Sequence, residues 1–288
     1  MAVVVILFAL ALFLFGLLAY GVWSSEPVRL PSVSAVEAAN MPDPPEAPAP
    51  EPSDVGQLWA AAIAQDRWPE LATNGTTGTS EGRIALTFDD GPDPRTTPPV
   101  LDALREHNVK ATFFVVGSQV AKHPDLLRRI MEEGHAIGNH TYDHADMSEL
   151  SPRRMRAELR STQQAVDDAL GYHHPMVLMR PPYGNPYFEG SQALPAFREV
   201  VRGEGLIPVA WTVDPGDYRR GGLPGGIVRA VVRAEEGGRE GEGDEVLLLH
   251  DNHEQTAQAL PQIIDYYEGK GRTFADVDEL LADKYLDR

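Results

Sequence analysis

Adjacent carboxylates and a spaced pair of histidines are the residues of this chain best suited to catalysis. Asp89 and Asp90 stand side by side, and His140 and His144 follow further along the chain, four residues apart. Two imidazoles and one carboxylate can hold a divalent metal ion and leave a coordination position open for water. The other carboxylate can then serve as a general base. The pattern therefore predicts a hydrolytic metal site.

The flanking sequence predicts how these side chains are positioned. Ile84–Phe88 is an apolar run that ends at Gly91 and Pro92, which predicts a buried strand with the aspartates at its C-terminal tip. Because neighbouring strand side chains point to opposite faces, we expect the two carboxylates to do different jobs. The spacing of the two histidines predicts that both imidazoles project from one side of a helical turn onto a single ion.

Five segments resemble, in order, the five motifs of the polysaccharide deacetylases, the NodB-like carbohydrate esterases. They are Thr87–Gly91, the His140/His144 pair, Arg180–Gly184, Asp214–Tyr218 and Leu248–His250. The resemblance extends from residue 82 to the C-terminus. It implies a distorted, incomplete (β/α) barrel. It also implies a metal-dependent hydrolase that removes acetyl groups from N-acetylglucosamine units of a cell-surface glycan, either peptidoglycan or a chitin-like oligomer.

The resemblance implies a role for each residue of the first motifs. Asp90, His140 and His144 match the family's metal ligands. This donor set favours Zn2+ and also accepts Co2+ or Ni2+. Asp89 matches the general base that takes a proton from the attacking water. Arg180 matches the arginine that holds this base, and its guanidinium fork is well suited to keeping a carboxylate ionised.

The later motifs imply the general acid and the substrate contacts. His250 matches the acid that protonates the departing amine, and Asp217 matches the carboxylate that orients it. The backbone N–H of Tyr183 matches the donor that stabilises the oxyanion. Leu248 matches the apolar wall around the acetyl methyl. Tyr218 stands where the family usually has a tryptophan beside the acetyl pocket, so substrate preference stays open.

Two other functions are compatible with these segments. The same scaffold could release acetate from O-acetyl esters, as on a xylan-like polysaccharide. Alternatively, the chain could be a non-catalytic wall protein that binds glycans. The chemically competent residues in all five motifs favour an enzyme over a binding protein.

Composition limits the partners of the protein. The 288 residues carry a formal net charge of −18, which argues against nucleic acid and acidic polymers because their approach would be repelled. A neutral N-acetylated polysaccharide is a better match. The chain has no cysteine, which excludes disulfides and thiolate metal ligands.

The N-terminal sequence predicts a membrane anchor and a linker. Residues 2–23 carry no charged side chain. At about 1.5 Å per residue these 22 residues would reach roughly 33 Å, enough to cross a bilayer. We favour an uncleaved anchor, since the apolar core of a signal peptide has only about 7–15 residues. Cleavage would make the protein secreted. Residues 24–81 are proline-rich and acidic at 41–52, which predicts a spacer, with a possible short helix at 54–71. The extracytoplasmic catalytic domain is then 82–288.

From residue 84 onward, the pattern alternates strands with helices. This alternation predicts parallel strands joined by helical crossovers. The predicted strands are Ile84–Phe88, Ala111–Val116, Ala136–Asn139, Val177–Arg180, Leu206–Trp211 and Glu245–His250. The predicted helices are Pro98–His107, Pro124–Glu133, Pro152–Leu170, Gln192–Glu204, Ile227–Ala234 and Gln255–Glu268.

Overall fold

Six short parallel strands form the sheet that carries the candidate site. The computed structural model describes residues 82–187, 192–219, 222–237 and 243–285. Within these residues the strands are β1 (Ile84–Asp89), β2 (Thr112–Val115), β3 (Ala136–Asn139), β4 (Leu178–Met179), β5 (Ile207–Pro208) and β6 (Glu245–His250). Their order across the sheet is β5-β4-β3-β2-β1-β6, and every pairing is parallel. The predicted parallel α/β architecture is confirmed.

Helices connect the strands and cover the sheet. In the described part of the chain they are α1 (Thr97–Glu106), α2 (Gly117–Lys122), α3 (Pro124–Glu132), α4 (Pro152–Leu170), α5 (Leu194–Gly203), α6 (Pro224–Gly237), α7 (Glu254–Gly269) and α8 (Val277–Tyr285). Local sequence sets the bounds of the longest helix, α4. The Ser151 side chain accepts a hydrogen bond from the Arg154 N–H at its start, and Gly171 ends it with a φ of 79°.

The sheet curls into a half-barrel. After β5, the chain leaves β4 and approaches the opposite edge of the sheet. There the Thr212 N–H donates to the Val246 carbonyl at 2.9 Å, and Val213 forms one parallel bridge with Leu247. This change of partner explains why the strand predicted at Leu206–Trp211 is only two residues long. A single bridge closes the sheet here, in agreement with the incomplete barrel that the family resemblance implies.

Two apolar layers lie on the two faces of the sheet. Phe88 and Phe113 stack with their ring centroids 5.1 Å apart in the larger layer, between the strands and the covering helices. Ala85 and Phe114 belong to a smaller cluster, which also contains Leu280 of α8. Because successive strand side chains alternate, neighbouring residues such as Phe113 and Phe114 enter different layers.

The inner face of the half-barrel changes from apolar to polar along the strands. On β1, Thr87 and Asp89 share the face of Ala85 by alternation. On β6, His250 shares the face of Val246, which packs in the small inner cluster. The register pairs Asp89 directly with His250. The C-terminal ends of β1 and β6 therefore bring a carboxylate and an imidazole to the same rim.

Most element bounds agree with the sequence predictions. β3, α4 and β6 have the same bounds as predicted. The helices α2 and α8 were not predicted. The first has only six residues, which is too short for a clear helical repeat. The second buries Val277, Leu280 and Leu281 in the inner cluster, a tertiary contact that its local sequence does not reveal.

The predicted anchor at residues 2–23 and the linker at 24–81 lie outside the described residues. Among the helices that the structure does describe, none is both long enough and apolar enough to span a bilayer. The membrane anchor and the domain boundary at residue 82 therefore stay predictions.

The packing of α2 against α4 yields a stability prediction at Gly117. A Cβ on this residue would lie 2.6 Å from Tyr142 Cδ2 and 2.8 Å from the Thr162 backbone. We expect Gly117→Ala to lower the free energy of unfolding by about 1–3 kcal/mol, the usual cost of overpacking. Gly203→Ala is the matched control, because its Cβ would meet nothing within 4 Å. Denaturant unfolding of both variants measures the difference, and equal stabilities would contradict the packing argument.

Candidate active site

The two aspartates lie at the C-terminal tip of β1, as predicted, but they do not point to opposite faces. Asp89 Oδ2 lies 3.8 Å and Asp90 Oδ1 lies 3.4 Å from the same atom, His140 Nε2. The expectation of opposite faces was wrong because Asp90 leaves the strand with a φ of 79°, which ends the alternation. The two carboxylates therefore differ in the residues they contact, and not in the face of the strand from which they project.

Asp90, His140 and His144 form a cluster able to hold a metal ion. Asp90 Oδ1 lies 3.1 Å from His144 Nε2, and the three ligand atoms lie within 4.8 Å of one another. This oxygen is buried and accepts no hydrogen bond within the described residues. Burial opposes ionisation of Asp90, but the adjacent imidazoles outweigh it and hold its pKa well below its usual range. A buried carboxylate oxygen that faces two imidazole nitrogens fits a divalent cation.

The two histidines lie on a loop after β3, and the predicted helical turn was wrong. Thr141 and His144 have φ values of 64° and 57°, which a right-handed α-helix does not contain. His140 Nδ1 lies 2.7 Å from the Arg180 carbonyl oxygen. A carbonyl only accepts, so Nδ1 carries a proton, and Nε2 is the nitrogen directed toward Asp90. Backbone conformation, rather than helical periodicity, brings the imidazoles together.

Asp89 forms a buried ion pair with Arg180. Arg180 Nη1 donates to Asp89 Oδ1 at 2.8 Å, and the arginine is completely buried. The same Nη1 donates to Thr87 Oγ1 at 2.8 Å, and the guanidinium lies 4.2 Å from the centroid of the Phe114 ring. Burial lowers the pKa of Arg180, and the Asp89 carboxylate opposes that shift. The pair leaves Asp89 Oδ2 directed toward His140.

His250 and Asp217 form a second pair at the end of β6. Asp217 Oδ1 lies 2.8 Å from His250 Nδ1, and its Oδ2 accepts from the His250 N–H and from Thr256 Oγ1. Asp217 is fully buried. Burial lowers the pKa of His250, but the hydrogen bond and charge of Asp217 outweigh it and raise the pKa from 6.5 to about 9. The imidazole is therefore protonated at neutral pH.

Three further motif residues surround these groups. Tyr183 has a φ of 61°, is 63% exposed, and its ring centroid lies 4.8 Å from that of His144. Tyr218 is 43% exposed, and its hydroxyl lies 3.4 Å from Asp214 Oδ2. Leu248 is buried on the inner face of β6, two residues before His250. Tyr183 and Tyr218 therefore lie beside His144 and His250, respectively.

Comparison with known proteins agrees with this geometry. The sequence profile described as polysaccharide deacetylase matches residues 76–194. The chain is 40% identical over 204 residues to the peptidoglycan-N-acetylglucosamine deacetylase PgdA of Listeria monocytogenes, covering 70% of this chain and 39% of that protein. It is 37% identical to a chitooligosaccharide deacetylase of Bradyrhizobium, covering 65% of this chain and 85% of that protein.

This chain belongs to the polysaccharide deacetylase family. The resemblance carried by the five motifs is thereby confirmed.

The structures of the family also share the fold. The family 4 carbohydrate esterase from Streptomyces lividans, solved in complex with acetate, superposes with a TM-score of 0.58 at 35% identity. The alignment covers 68% of this chain and 93% of that one. The half-barrel is thus the common scaffold. The chain spans only 39% of the length of the Listeria relative.

Sequence reasoning missed several residues that support the candidate site. Asn252 Nδ2 donates to Asp90 Oδ2 at 3.1 Å, which leaves Oδ1 directed at the histidines. Asp251 is fully buried behind the aspartate turn, where its Oδ2 accepts from Thr97 Oγ1 at 2.6 Å. Burial raises the pKa of Asp251 to about 7, and the Thr97 hydrogen bond opposes that shift. The only sequence signal was that Asp251 and Asn252 directly follow the last motif.

The His250–Asp217 pair predicts a measurable change in titration. We expect Asp217→Asn to return the pKa of His250 from about 9 toward 6.5 in the metal-free protein. Asp214→Asn, in the same turn, should leave it unchanged. NMR titration of the imidazole measures both variants. An unaltered pKa in Asp217→Asn would contradict the assigned pairing.

The same pair contributes to stability in a definite pH range. Its folded-state pKa is raised, so the contribution is fully present below pH 6.5 and is lost as the pH rises through about 9. The difference in unfolding free energy between the wild type and Asp217→Asn should shrink over that interval.

Proposed function

We propose that this chain is a metal-dependent deacetylase that hydrolyses the N-acetyl groups of N-acetylglucosamine units in a cell-surface glycan, peptidoglycan or a chitin-like oligomer. One observation carries the proposal: a carboxylate held by Arg180 and a histidine held by Asp217 lie on either side of three side chains that could bind a metal ion. Amide hydrolysis needs such a base and such an acid on the same rim.

The metal site is proposed to consist of Asp90, His140 and His144. Zinc fits these donors best, and cobalt or nickel are alternatives by the usual order of affinities. When bound, such an ion lowers the pKa of water and polarises the acetyl carbonyl. The hydrogen bond from His140 Nδ1 to the Arg180 carbonyl keeps the imidazole in the tautomer that ligation requires.

Asp89 is the proposed general base. Its Oδ1 is occupied by Arg180, so Oδ2 is the atom available to accept a proton from the attacking water. The ion pair fixes the direction of this buried carboxylate. The water oxygen forms the new bond to the carbonyl carbon. The backbone N–H of Tyr183 is proposed to donate to the oxyanion that develops, a placement made possible by its positive φ.

His250 is the proposed general acid. As the bond between carbon and nitrogen breaks, the departing nitrogen takes a proton from the imidazolium, which leaves acetate and a free amine. A raised pKa keeps His250 protonated at neutral pH, and an amine leaving group needs this proton more than an alcohol does. The His250–Asp217 pair therefore favours amide substrates over O-acetyl esters.

Leu248 and Tyr218 are the proposed substrate contacts. Leu248 is buried below His250, where it would contact the acetyl methyl. The exposed Tyr218 ring lies 5.3 Å from the His250 ring, centroid to centroid, at the open side of the site. A flat, partly exposed aromatic surface suits contact with a sugar ring.

The comparisons support this proposal. The Listeria relative is named a peptidoglycan-N-acetylglucosamine deacetylase, and the Bradyrhizobium relative a chitooligosaccharide deacetylase. The Streptomyces esterase binds acetate, the product expected here. We further propose that residues 2–23 anchor the protein in a membrane, that 24–81 form a linker, and that 82–288 act on glycan outside the cytoplasm.

The first experiment measures acetate release from N-acetylglucosamine oligomers by the zinc-loaded protein. Asp89→Asn should lower the rate at least about 100-fold, because general-base catalysis contributes about 10²–10⁴-fold. A chelator should abolish the activity. Asp102→Asn is the control, since this carboxylate is 49% exposed on α1. A full rate in Asp89→Asn would overturn the mechanism. Acetate from esters but not amides would indicate an esterase, and glycan binding without turnover of either would indicate a binding protein.

The proposed sugar contact at Tyr218 can be separated from the chemistry. Tyr218→Ala should raise KM by about 2–13-fold, the loss of one aromatic contact of about 0.5–1.5 kcal/mol, with a smaller effect on kcat. Tyr218→Phe should change KM little, because the hydroxyl makes only a long hydrogen bond, 3.4 Å from Asp214. Steady-state kinetics on oligomers tests both variants. A KM unchanged in Tyr218→Ala would remove this residue from the substrate site.

A further inference from the structure

A buried carboxylate outside the proposed chemistry holds the loop that carries both histidines. Glu158 lies on α4 and is only 5% exposed. Its Oε2 accepts the backbone N–H of Tyr142 at 3.0 Å and that of Asp143 at 3.0 Å. These two residues lie between His140 and His144. A single side-chain oxygen therefore organises the centre of the histidine loop.

The loop conformation explains why this acceptor is needed. The positive φ values at Thr141 and His144 keep the loop out of helix and sheet, so its central N–H groups have no ladder partner. The two hydrogen bonds are partly buried, and a charged acceptor binds such N–H groups most strongly. A buried glutamate is costly unless it is hydrogen-bonded. Glu158 therefore supplies the acceptor for the loop N–H groups, and these groups supply the hydrogen bonds that offset the burial of Glu158.

Further hydrogen bonds connect the histidine loop to α4 and to α2. Asn139 Nδ2 donates to the Leu159 carbonyl at 2.9 Å, and Asn139 Oδ1 accepts the Thr141 N–H at 2.9 Å. On the opposite side, the N–H groups of Gly117 and Ser118 donate to the carbonyls of Thr141 and Tyr142 at 3.0 and 2.9 Å. The loop is therefore held between α4 and the start of α2, with Glu158 at its middle.

The charge of Glu158 is directed to the loop rather than to a cation. The nearest arginine atom, Arg154 Nη2, lies 3.8 Å from Oε1, and the Arg154 side chain is 66% exposed. An ion pair of this length and exposure contributes little. The oxygen that faces the loop makes the shorter bonds, so the carboxylate acts chiefly as a backbone anchor.

We propose that Glu158 is a positioning residue for metal binding, which fixes the separation of His140 and His144 and thereby sets the affinity of the site. It contacts neither the ligand atoms nor the substrate and acts through the backbone of residues 142 and 143. The proposal rests on the proposed function only in taking Asp90, His140 and His144 as the ligands. Fixing the imidazoles before the ion arrives reduces the ordering cost of binding.

The test measures the zinc dissociation constant of the full chain by competition with a chromogenic chelator, without any turnover. Glu158→Ala should raise this constant about 10-fold, the lower end of the 10–100-fold effect of removing a direct hydrogen-bond partner of a metal ligand, because Glu158 acts on the ligands only through the backbone. Glu158→Gln keeps an oxygen of the same reach and should stay within about threefold of wild type, since one amide oxygen can accept both N–H groups. Arg154→Ala should leave the constant unchanged.

Unfolding of the metal-free variants separates positioning from general stability. Glu158→Asp keeps the charge but shortens the side chain by one methylene, so it should remain folded and bind zinc more weakly than Glu158→Gln. If Glu158→Ala does not fold, the zinc affinities of Glu158→Asp and Glu158→Gln test the proposal instead. Wild-type affinity in folded Glu158→Ala, or in both Glu158→Asp and Glu158→Gln, would overturn the proposal. Zinc affinity is measured without acetate release. The result therefore tests the role of Glu158 even if the protein proves to have no deacetylase activity.

Discussion

The buried ion pair between Arg180 and Asp89 is the interaction on which the rest of the site depends. Arg180 is completely buried, and its guanidinium crosses the half-barrel from β4 to β1. Breaking a buried pair by removing one partner typically costs about 3–5 kcal/mol, because the other charge is left uncompensated. The inner face is accordingly built to satisfy the arginine, with Thr87 Oγ1 and the carbonyls of Val209 and Ala210 as its acceptors.

This constraint also gives the adjacent carboxylates different chemistry. Asp89 stays in the strand and has one oxygen bound to the buried cation. Asp90 leaves the strand, turns one oxygen toward the histidines and has the other bound by Asn252. One residue of backbone distortion thus separates the proposed base from the proposed metal ligand. Both carboxylates remain close enough to His140 to act at a single centre.

The parallel sheet itself positions His250, the proposed general acid. The register between β1 and β6 places His250 opposite Asp89. Asp217 then reaches His250 from the segment after β5, the same segment that joins the two sheet edges. Closure of the half-barrel and charging of the imidazole therefore depend on the same stretch of chain. This arrangement explains why a carboxylate in a Pro-Gly turn is fully buried.

Sequence alone determined the alternating element order, the bounds of β3, α4 and β6, and the set of residues gathered at the rim. These features depend on local periodicity and on short motifs. Tertiary structure decided that the histidines lie on a loop, that both aspartates face one site, and that Glu158 supports the loop from α4. The positive φ values at Asp90, Thr141 and His144 are maintained by contacts distant in sequence, and residue spacing carries no record of such contacts.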